Sequence, residues 1–426
     1  MIKKLFKKAK NNEMINTSFY TGIGTAIGFI SGFVVNKVIA VVIGPSGLAM
    51  VSQFQNFISI STAVATGGIE QGVVKYVAEV RGTEEEKAVV LSTSLRITLI
   101  FTLFVGIITS IFSKYLSVLL FDTVDFQFVL VVFGVTVVLF GLNKLLISIL
   151  NGTGEIKKLV AVKISSNLFG LFITASFAYL YGINGALVAL ALSQSVIFFV
   201  SLLFVLKSDW FKRKLFSKKL DREYSIKLFK YSLMAISSMV LPPLVQIGIR
   251  NHIVDTLSID QAGYWDGLWK ISAAYLGIIT TTLSIYYLPK LSSLKERLEI
   301  RKELLNGYKI ITPLLIVAII SVYLLKDYII IILYSDEFME MSELFGPQLL
   351  GDFFKIMSWL VAYLMLAKAK TKLFIGSQIV FSTMTYILSI ILINSIGLEG
   401  VVWAHAIKYF IYLIVMVVIF RKYLIK

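Results

Sequence analysis

Apolar stretches close to, or longer than, the roughly 20 residues that cross a hydrocarbon core as helix recur along the whole chain. Short polar breaks separate them. On that rule the sequence predicts about twelve membrane helices, at approximately 15–43, 47–77, 88–112, 126–150, 157–181, 183–206, 225–254, 260–288, 306–325, 343–367, 371–394 and 397–420. The longest break, about 207–224, is basic. The expected fold class is an all-α integral membrane protein.

The breaks divide into two sets by charge. One set, with the termini, collects Lys3, Lys4, Lys7, Lys8 and Lys10, then Arg81 and Lys87, Lys157 and Lys158, Lys207 through Arg222, Lys290 through Lys302, Lys368, Lys370 and Lys372, and Arg421, Lys422 and Lys426. The other set holds Lys114 and Lys326 beside Asp122, Asp125, Asp336, Glu337, Glu340 and Glu343. Because Lys and Arg are retained on the cytoplasmic side, both termini are expected to be cytoplasmic. The basic start resembles the head of a signal peptide, but the apolar run after it is too long and has no small-residue cleavage site. It reads as a first membrane helix.

The chain also repeats itself. At a constant shift of 215 residues, Asn36-Lys37 falls on Asn251-His252, Lys75 on Lys290, Lys157 on Lys372, and Gly182-Ile-Asn-Gly185 on Gly397-Leu-Glu-Gly400. An even number of helices per half makes the repeat parallel, with a pseudo-twofold axis along the membrane normal. The expected organisation is an N-lobe at 1–206, a basic cytoplasmic linker at 207–224 and a C-lobe at 225–426, with a central cavity between six-helix lobes.

Composition narrows the partners. Only 15% of residues are charged and mean hydropathy is +0.84, which excludes an ordinary soluble domain. The net charge of +16 would suit nucleic acid, but no soluble segment is large enough to present a basic face. No nucleic-acid partner is expected. Membrane lipids and an anionic substrate fit better. With no Cys and only His252 and His405, neither disulfides nor a metal site is expected.

Charges inside the apolar segments are the informative residues. Lys270, Lys355 and Lys408 fall near mid-membrane, where three cations facing lipid would cost about 10 kcal/mol. They must face a polar cavity. Lys37, Arg250 and His252 fall in the outer half. Arg96, Lys144 and Lys163 lie within about two turns of the expected cytoplasmic ends, where snorkelling to headgroups is the simplest role. The acids are Asp266, Asp352 and Glu70. The spacing in GYWDGLWKIS pairs Asp266 with Lys270, one helical turn on. QLLGDFFK similarly offers Asp352 to Lys355. His405 reads as a hydrogen-bonded core histidine. Tyr264, Trp265, Trp269, Phe353, Phe354 and Trp359 read as packing or interfacial aromatics as readily as sugar-stacking ones. Pro242-Pro243 removes backbone hydrogen bonds within the seventh segment, marking a bend or gate. Gly24, Gly28 and Gly32 form a close-packing face on the first. No nucleophile elbow, P-loop or HExxH motif occurs.

Several blocks carry a family resemblance: GPSGLAMVSQFQNF and GGIEQGVVKYVAE within 44–79, KYSLMAISSMVLPP (230–243), AGYWDGLWKISAAYL (262–276), YYLPKLS (286–292) and QLLGDFFK…LAKAK (348–370). Together these resemble the Wzx-type lipid-linked oligosaccharide flippases, the O-antigen and enterobacterial common antigen lipid III translocases of the multidrug/oligosaccharidyl-lipid/polysaccharide exporter superfamily. The resemblance implies two six-helix lobes in the bacterial cytoplasmic (inner) membrane. It implies movement of undecaprenyl-pyrophosphate-linked oligosaccharide to the periplasmic leaflet by alternating access, without an enzymatic step or cofactor. It allows coupling to H⁺ or Na⁺ through Asp266, Asp352 or Glu70, and partnership with a polysaccharide polymerase and chain-length regulator. Lys37, Arg250, Lys270, Lys355 and Lys408 would hold the pyrophosphate, with Asp266 shielding Lys270 until an anion displaces it. A multidrug/cation antiporter of the same superfamily is the alternative, but an excess of buried bases is the wrong sign for cations. A polysaccharide polymerase or ligase would need a large external loop, and the longest, about 326–342, is short and acidic.

Overall fold

The structure, a computed structural model, describes residues 13–80, 84–368 and 370–424. The expected cytoplasmic charges Lys3, Lys4, Lys7, Lys8, Lys10, Arg81 and Lys426 lie outside the described residues. Among the described residues there is no strand. The helices are α1 (Glu13–Val42), α2 (Gly44–Ala65), α3 (Glu70–Glu79), α4 (Glu84–Ile111), α5 (Ser113–Phe121), α6 (Gln127–Thr153), α7 (Ile156–Leu206), α8 (Arg222–Thr256), α9 (Ile259–Thr282), α10 (Leu288–Ser293), α11 (Arg297–Leu324), α12 (Lys326–Leu333), α13 (Phe345–Ala367), α14 (Thr371–Ile396), α15 (Glu399–Ile419) and α16 (Arg421–Leu424). Every expected apolar segment is helical. The second is divided at Gly67-Gly68 into α2 and α3, and the fifth and sixth run together as α7 with one non-helical residue, Gly182.

Helix faces show which solvent the protein meets. On α4, Ile100, Leu103, Phe104, Ile107 and Ile111 are 51–70% exposed, while Thr98, Thr102 and Thr109 are at most 3% exposed. Spacings of three and four make the apolar residues one stripe. An apolar exterior over a hydroxyl-lined interior is stable only where lipid replaces water. The buried threonines also satisfy themselves: the Thr102 hydroxyl donates to Thr98 O at 2.7 Å. On α11, Ile310, Leu314, Val317 and Leu324 form a similar stripe at 63–73% exposure. The chain is a multi-pass membrane protein.

Among the described residues, eight helices are long and apolar enough to span a membrane, with α7 counted once. α2 and α9 do not reach that apolarity, because polar groups interrupt them: Gln53, Gln55 and Asn56 in α2, Asp266 and Lys270 in α9. These two helices bring Gln53, Asp266 and Lys270 to the candidate site.

The chain divides into two compact units, Met1–Val42 with Phe54–Val240, and Ile43–Gln53 with Leu241–Lys426. The first unit is organised around Ile69, Val73, Leu91, Ile149 and Leu228. The stretch read as a linker is packed onto it. Leu215 is buried, its carbonyl accepts from the Ser92 hydroxyl at 3.1 Å, and the amides of Lys218 and Asp221 donate to Ser92 and Thr93 at 3.0 and 3.1 Å. Lys212 meets Glu84, and Lys218 pairs with Glu85 at 3.2 Å. The Asp221 carboxylate then caps α8 by accepting from the Tyr224 amide at 2.8 Å. α8 stays helical through both prolines, and the boundary between units falls at Val240/Leu241, just before Pro242.

The second unit is organised around Leu276, Leu304, Ile356, Leu360 and Met416. Residues 43–53 belong to it because polar and close backbone contacts hold them there. A side chain at Gly263 would strike the Pro45 carbonyl, and Gln53 bonds both Arg250 and Asn251.

The internal repeat is legible element by element. Residues 156–181 and Thr371–Ile396 begin and end 215 residues apart. Each helix ends on a glycine in the same left-handed conformation: Gly182 at φ 59°, ψ −140°, and Gly397 at φ 66°, ψ −148°. Three residues on, a Cβ at Gly185 would collide with the Phe177 carbonyl, and one at Gly400 with the Leu392 carbonyl, again 215 apart. Duplication preserved a turn that only glycine fits.

Candidate functional site

The expected site charges of the second unit lie on four helices, α8, α9, α13 and α15, and form two polar centres. In the first, the Arg250 guanidinium donates to both Asp266 oxygens, Nε to Oδ2 at 2.6 Å and Nη2 to Oδ1 at 2.5 Å. Its Nη1 donates to Gln53, whose own amide donates to Asn251 at 2.5 Å. Arg250 is 2% and Asp266 5% exposed. A planar fork matched to both carboxylate oxygens is the strongest neutralisation available to a buried pair. Ser258 starts α9 by accepting from the Gln261 amide at 3.2 Å, which fixes the register that aims Asp266 at α8. Asp266 thus directs its two hydrogen-bonded oxygens at Arg250 rather than serving Lys270 alone. Lys270, half-buried one turn further along α9, lies within electrostatic reach of both.

The second centre surrounds Asp352, which is fully buried. It accepts from Tyr275 Oη at 2.5 Å, Gln348 Nε2 at 3.3 Å and His405 Nε2 at 3.0 Å. An ionised carboxylate can only accept, so the His405 proton sits on Nε2. Gly351 makes this contact possible: a Cβ there would strike the His405 ring and lie 3.0 Å from the Ala406 amide. His405 is therefore the hydrogen-bonded core histidine that the sequence suggests, and Asp352 is satisfied by neighbours other than Lys355.

Lys355 and Lys408 are held differently. The Lys355 ammonium faces three rings, Trp269 at 5.4 Å, Trp359 at 5.3 Å and Tyr409 at 5.7 Å from the centroids. The Lys408 ammonium lies 3.3 Å from the Tyr409 centroid. Among the described residues, neither ammonium makes an ion pair or hydrogen bond. Ring faces stabilise a cation by about 0.5–2 kcal/mol each without consuming its N–H groups. Both lysines sit midway along their helices and are half-buried, and they are close enough to repel each other. Six N–H donors around one tyrosine, with no carboxylate bound, can take an anion.

Of the other expected site residues, Lys37 and Glu70 belong to the first unit and are half-buried. His252 hydrogen-bonds Asn394 at 2.9 Å. Sequence reasoning missed Gln53, Tyr275, Gln348 and Tyr409. A polar residue inside an apolar helix was the available signal for the first and third. Nothing local distinguishes Tyr275 or Tyr409 from packing aromatics.

Comparison with known proteins decides the family. Residues 15–295 match the family described as polysaccharide biosynthesis protein. The chain belongs to that family. This polysaccharide biosynthesis family member is 28% identical over 399 residues to the lipid III flippase of Escherichia coli (strain K12), covering 94% of this chain and 96% of the relative. Among solved structures, an inward-facing multidrug resistance MATE family transporter of the MOP superfamily aligns with a TM-score of 0.79 at 14% identity, over 92% of this chain and 94% of that one. Lipid II flippase MurJ in an inward closed conformation aligns with a TM-score of 0.75 at 16% identity, over 96% and 87%. The fold is therefore one that this chain shares with these two transporters.

Proposed function

We propose that this chain is a transporter, not an enzyme, that flips undecaprenyl-pyrophosphate-linked oligosaccharide from the cytoplasmic to the periplasmic leaflet of the bacterial inner membrane by alternating access. The observation that carries the reading is the pair of aromatic-held cations, Lys355 and Lys408, half-buried in a lipid-facing helical protein with no carboxylate ion pair among the described residues. Similarity to a lipid III flippase along nearly the whole chain supports the lipid-linked substrate.

The chemistry follows from how each charge is held. Arg250 is neutralised by Asp266 and braced by Gln53, so it shapes the site and contributes little free donor capacity. The diphosphate binds Lys355 and Lys408, with Lys270 adding field. Coulombic attraction to the anion exceeds a ring's quadrupole attraction, so the ammoniums turn from rings to phosphate without first breaking an ion pair. Trp269 and Trp359, freed of the cation, offer faces to the sugar. The polyprenyl tail stays in lipid. Coupling to H⁺ or Na⁺ and assembly with a polymerase or chain-length regulator belong to the same proposal. So does the cytoplasmic placement of both termini.

The test is the leaflet distribution of lipid-linked oligosaccharide after deletion of the gene. Retention on the cytoplasmic face is expected, with complementation by the parent chain. Lys355→Ala/Lys408→Ala should lower the translocation rate at least tenfold at equal abundance. Unchanged translocation after deletion would overturn the flippase reading. Full complementation by the double variant would overturn the site alone.

A further inference from the structure

A second cationic recess lies wholly within the first unit. A cavity of about 500 Å³ is lined by α1, α6 and α7, with Lys144 from α6 and Lys163, Ser166 and Asn167 from α7 around a floor of Gly24 and Gly28. No acid lines it. The Ser166 hydroxyl is buried with no hydrogen-bond partner among the described residues. Asn167 Nδ2 donates only a long bond to the Gly24 carbonyl, 3.3 Å. Lys144 rests 5.8 Å from the Phe140 ring, and neither Lys144 nor Lys163 makes an ion pair among the described residues. The sequence suggested snorkelling lysines and a close-packed glycine face. Gly24 and Gly28 do pack closely on α7, a Cβ at Gly28 lying 2.9 Å from Asn167 Nδ2, and the lysines border the recess beside them.

We infer that this recess binds the phosphoryl head of a membrane lipid. Its lining supplies two ammoniums, the Asn167 amide and the Ser166 and Thr25 hydroxyls, and no carboxylate. Such an excess of donors is satisfied by an anion rich in acceptor oxygens. The orphaned hydroxyl is the independent sign, because a buried polar group without a partner costs about 1–3 kcal/mol until a ligand supplies one. The volume lies within the range for small-molecule sites and exceeds one phosphate, leaving room for a second phosphate or a glycerol. Depth suits a headgroup. At 1.5 Å per residue, both lysines lie roughly 13–15 Å along their helices from the α6–α7 turn at Gly154. The anion assignment is independent of the flippase reading, and only the choice of one probe rests on that reading.

The chain has no cysteine, so a single thiol reports this cavity alone. Ile147→Cys places it on the lining, and its maleimide reaction rate is measured in the full chain in nanodiscs. Undecaprenyl pyrophosphate, or phosphatidylglycerol in place of phosphatidylcholine, should slow the reaction at least tenfold. Lys144→Ala/Lys163→Ala should abolish protection, and Lys144→Arg/Lys163→Arg should keep it. Gly28→Val, which fills the floor while leaving every charge, should lower lipid protection as well. Protection by the diphosphate alone identifies a substrate site, and equal protection by phosphatidylglycerol identifies a lipid site; either supports the inference. Protection by neither lipid, or protection unchanged in the double alanine variant, overturns it. The leaflet assay stands apart, so this failure would leave the flippase reading untouched.

Discussion

The cations of the second unit separate by what neutralises them, and the separation predicts opposite effects of removing each. Asp266→Asn leaves the buried Arg250 without its carboxylate, and breaking such a pair costs about 3–5 kcal/mol. The thermal midpoint of the purified protein should fall accordingly, and Arg250→Met with Asp266→Leu should recover most of it. Lys408→Ala removes a charge with no acid partner among the described residues, so stability should stay within about 0.5 kcal/mol of the parent while translocation falls. A large loss of stability in Lys408→Ala would show that its ring contact is structural. Spacing alone gave only part of the pairing. It placed Asp266 with Lys270 and Asp352 with Lys355 because neighbours on one helix are all that spacing can see. Arg250 and His405 reach the same carboxylates from other helices.

At the scale of elements, duplication makes a quantitative prediction. Gly182 and Gly397 share one backbone conformation, and an L-side chain there costs about 1–3 kcal/mol. Gly182→Ala and Gly397→Ala should therefore lower the melting temperature by similar amounts, and the double variant by their sum. A different response would mean the two turns have diverged in what they support. All twelve expected segments are helical because length and apolarity are local properties. The short helices α5 and α12, between spans, escaped notice because neither is long enough to stand out. The stretch at 207–224 read as a linker from its charges, yet Leu215 and the Ser92 and Thr93 hydroxyls anchor it to α4. Basic composition does not reveal one buried leucine.

For the whole molecule, charge asymmetry predicts orientation. In the cysteine-free chain, Ser217→Cys should react with an impermeant maleimide only after cells are permeabilised, while Glu340→Cys should react in intact cells. Both residues are exposed. The reverse labelling would invert the topology and with it the proposed direction of transport. The boundary between units at Val240/Leu241 adds meaning to Pro242-Pro243. The prolines leave α8 helical, but they weaken its backbone ladder where the chain passes from one unit to the other.

The sequence by itself determined the solvent, the helical segments, the repeat and the presence of cations that cannot face lipid. Each follows from composition and spacing along the chain, which report how a segment partitions between water and hydrocarbon. Only the tertiary structure decided which cations are spent and which are available. Arg250 and Lys408 are both bases inside apolar helices, and nothing nearby in sequence distinguishes them. One meets a carboxylate fork from α9 and an amide from α2, the other the face of a tyrosine. Neutralisation depends on what other helices bring within hydrogen-bonding distance, so a charge's role is fixed by packing.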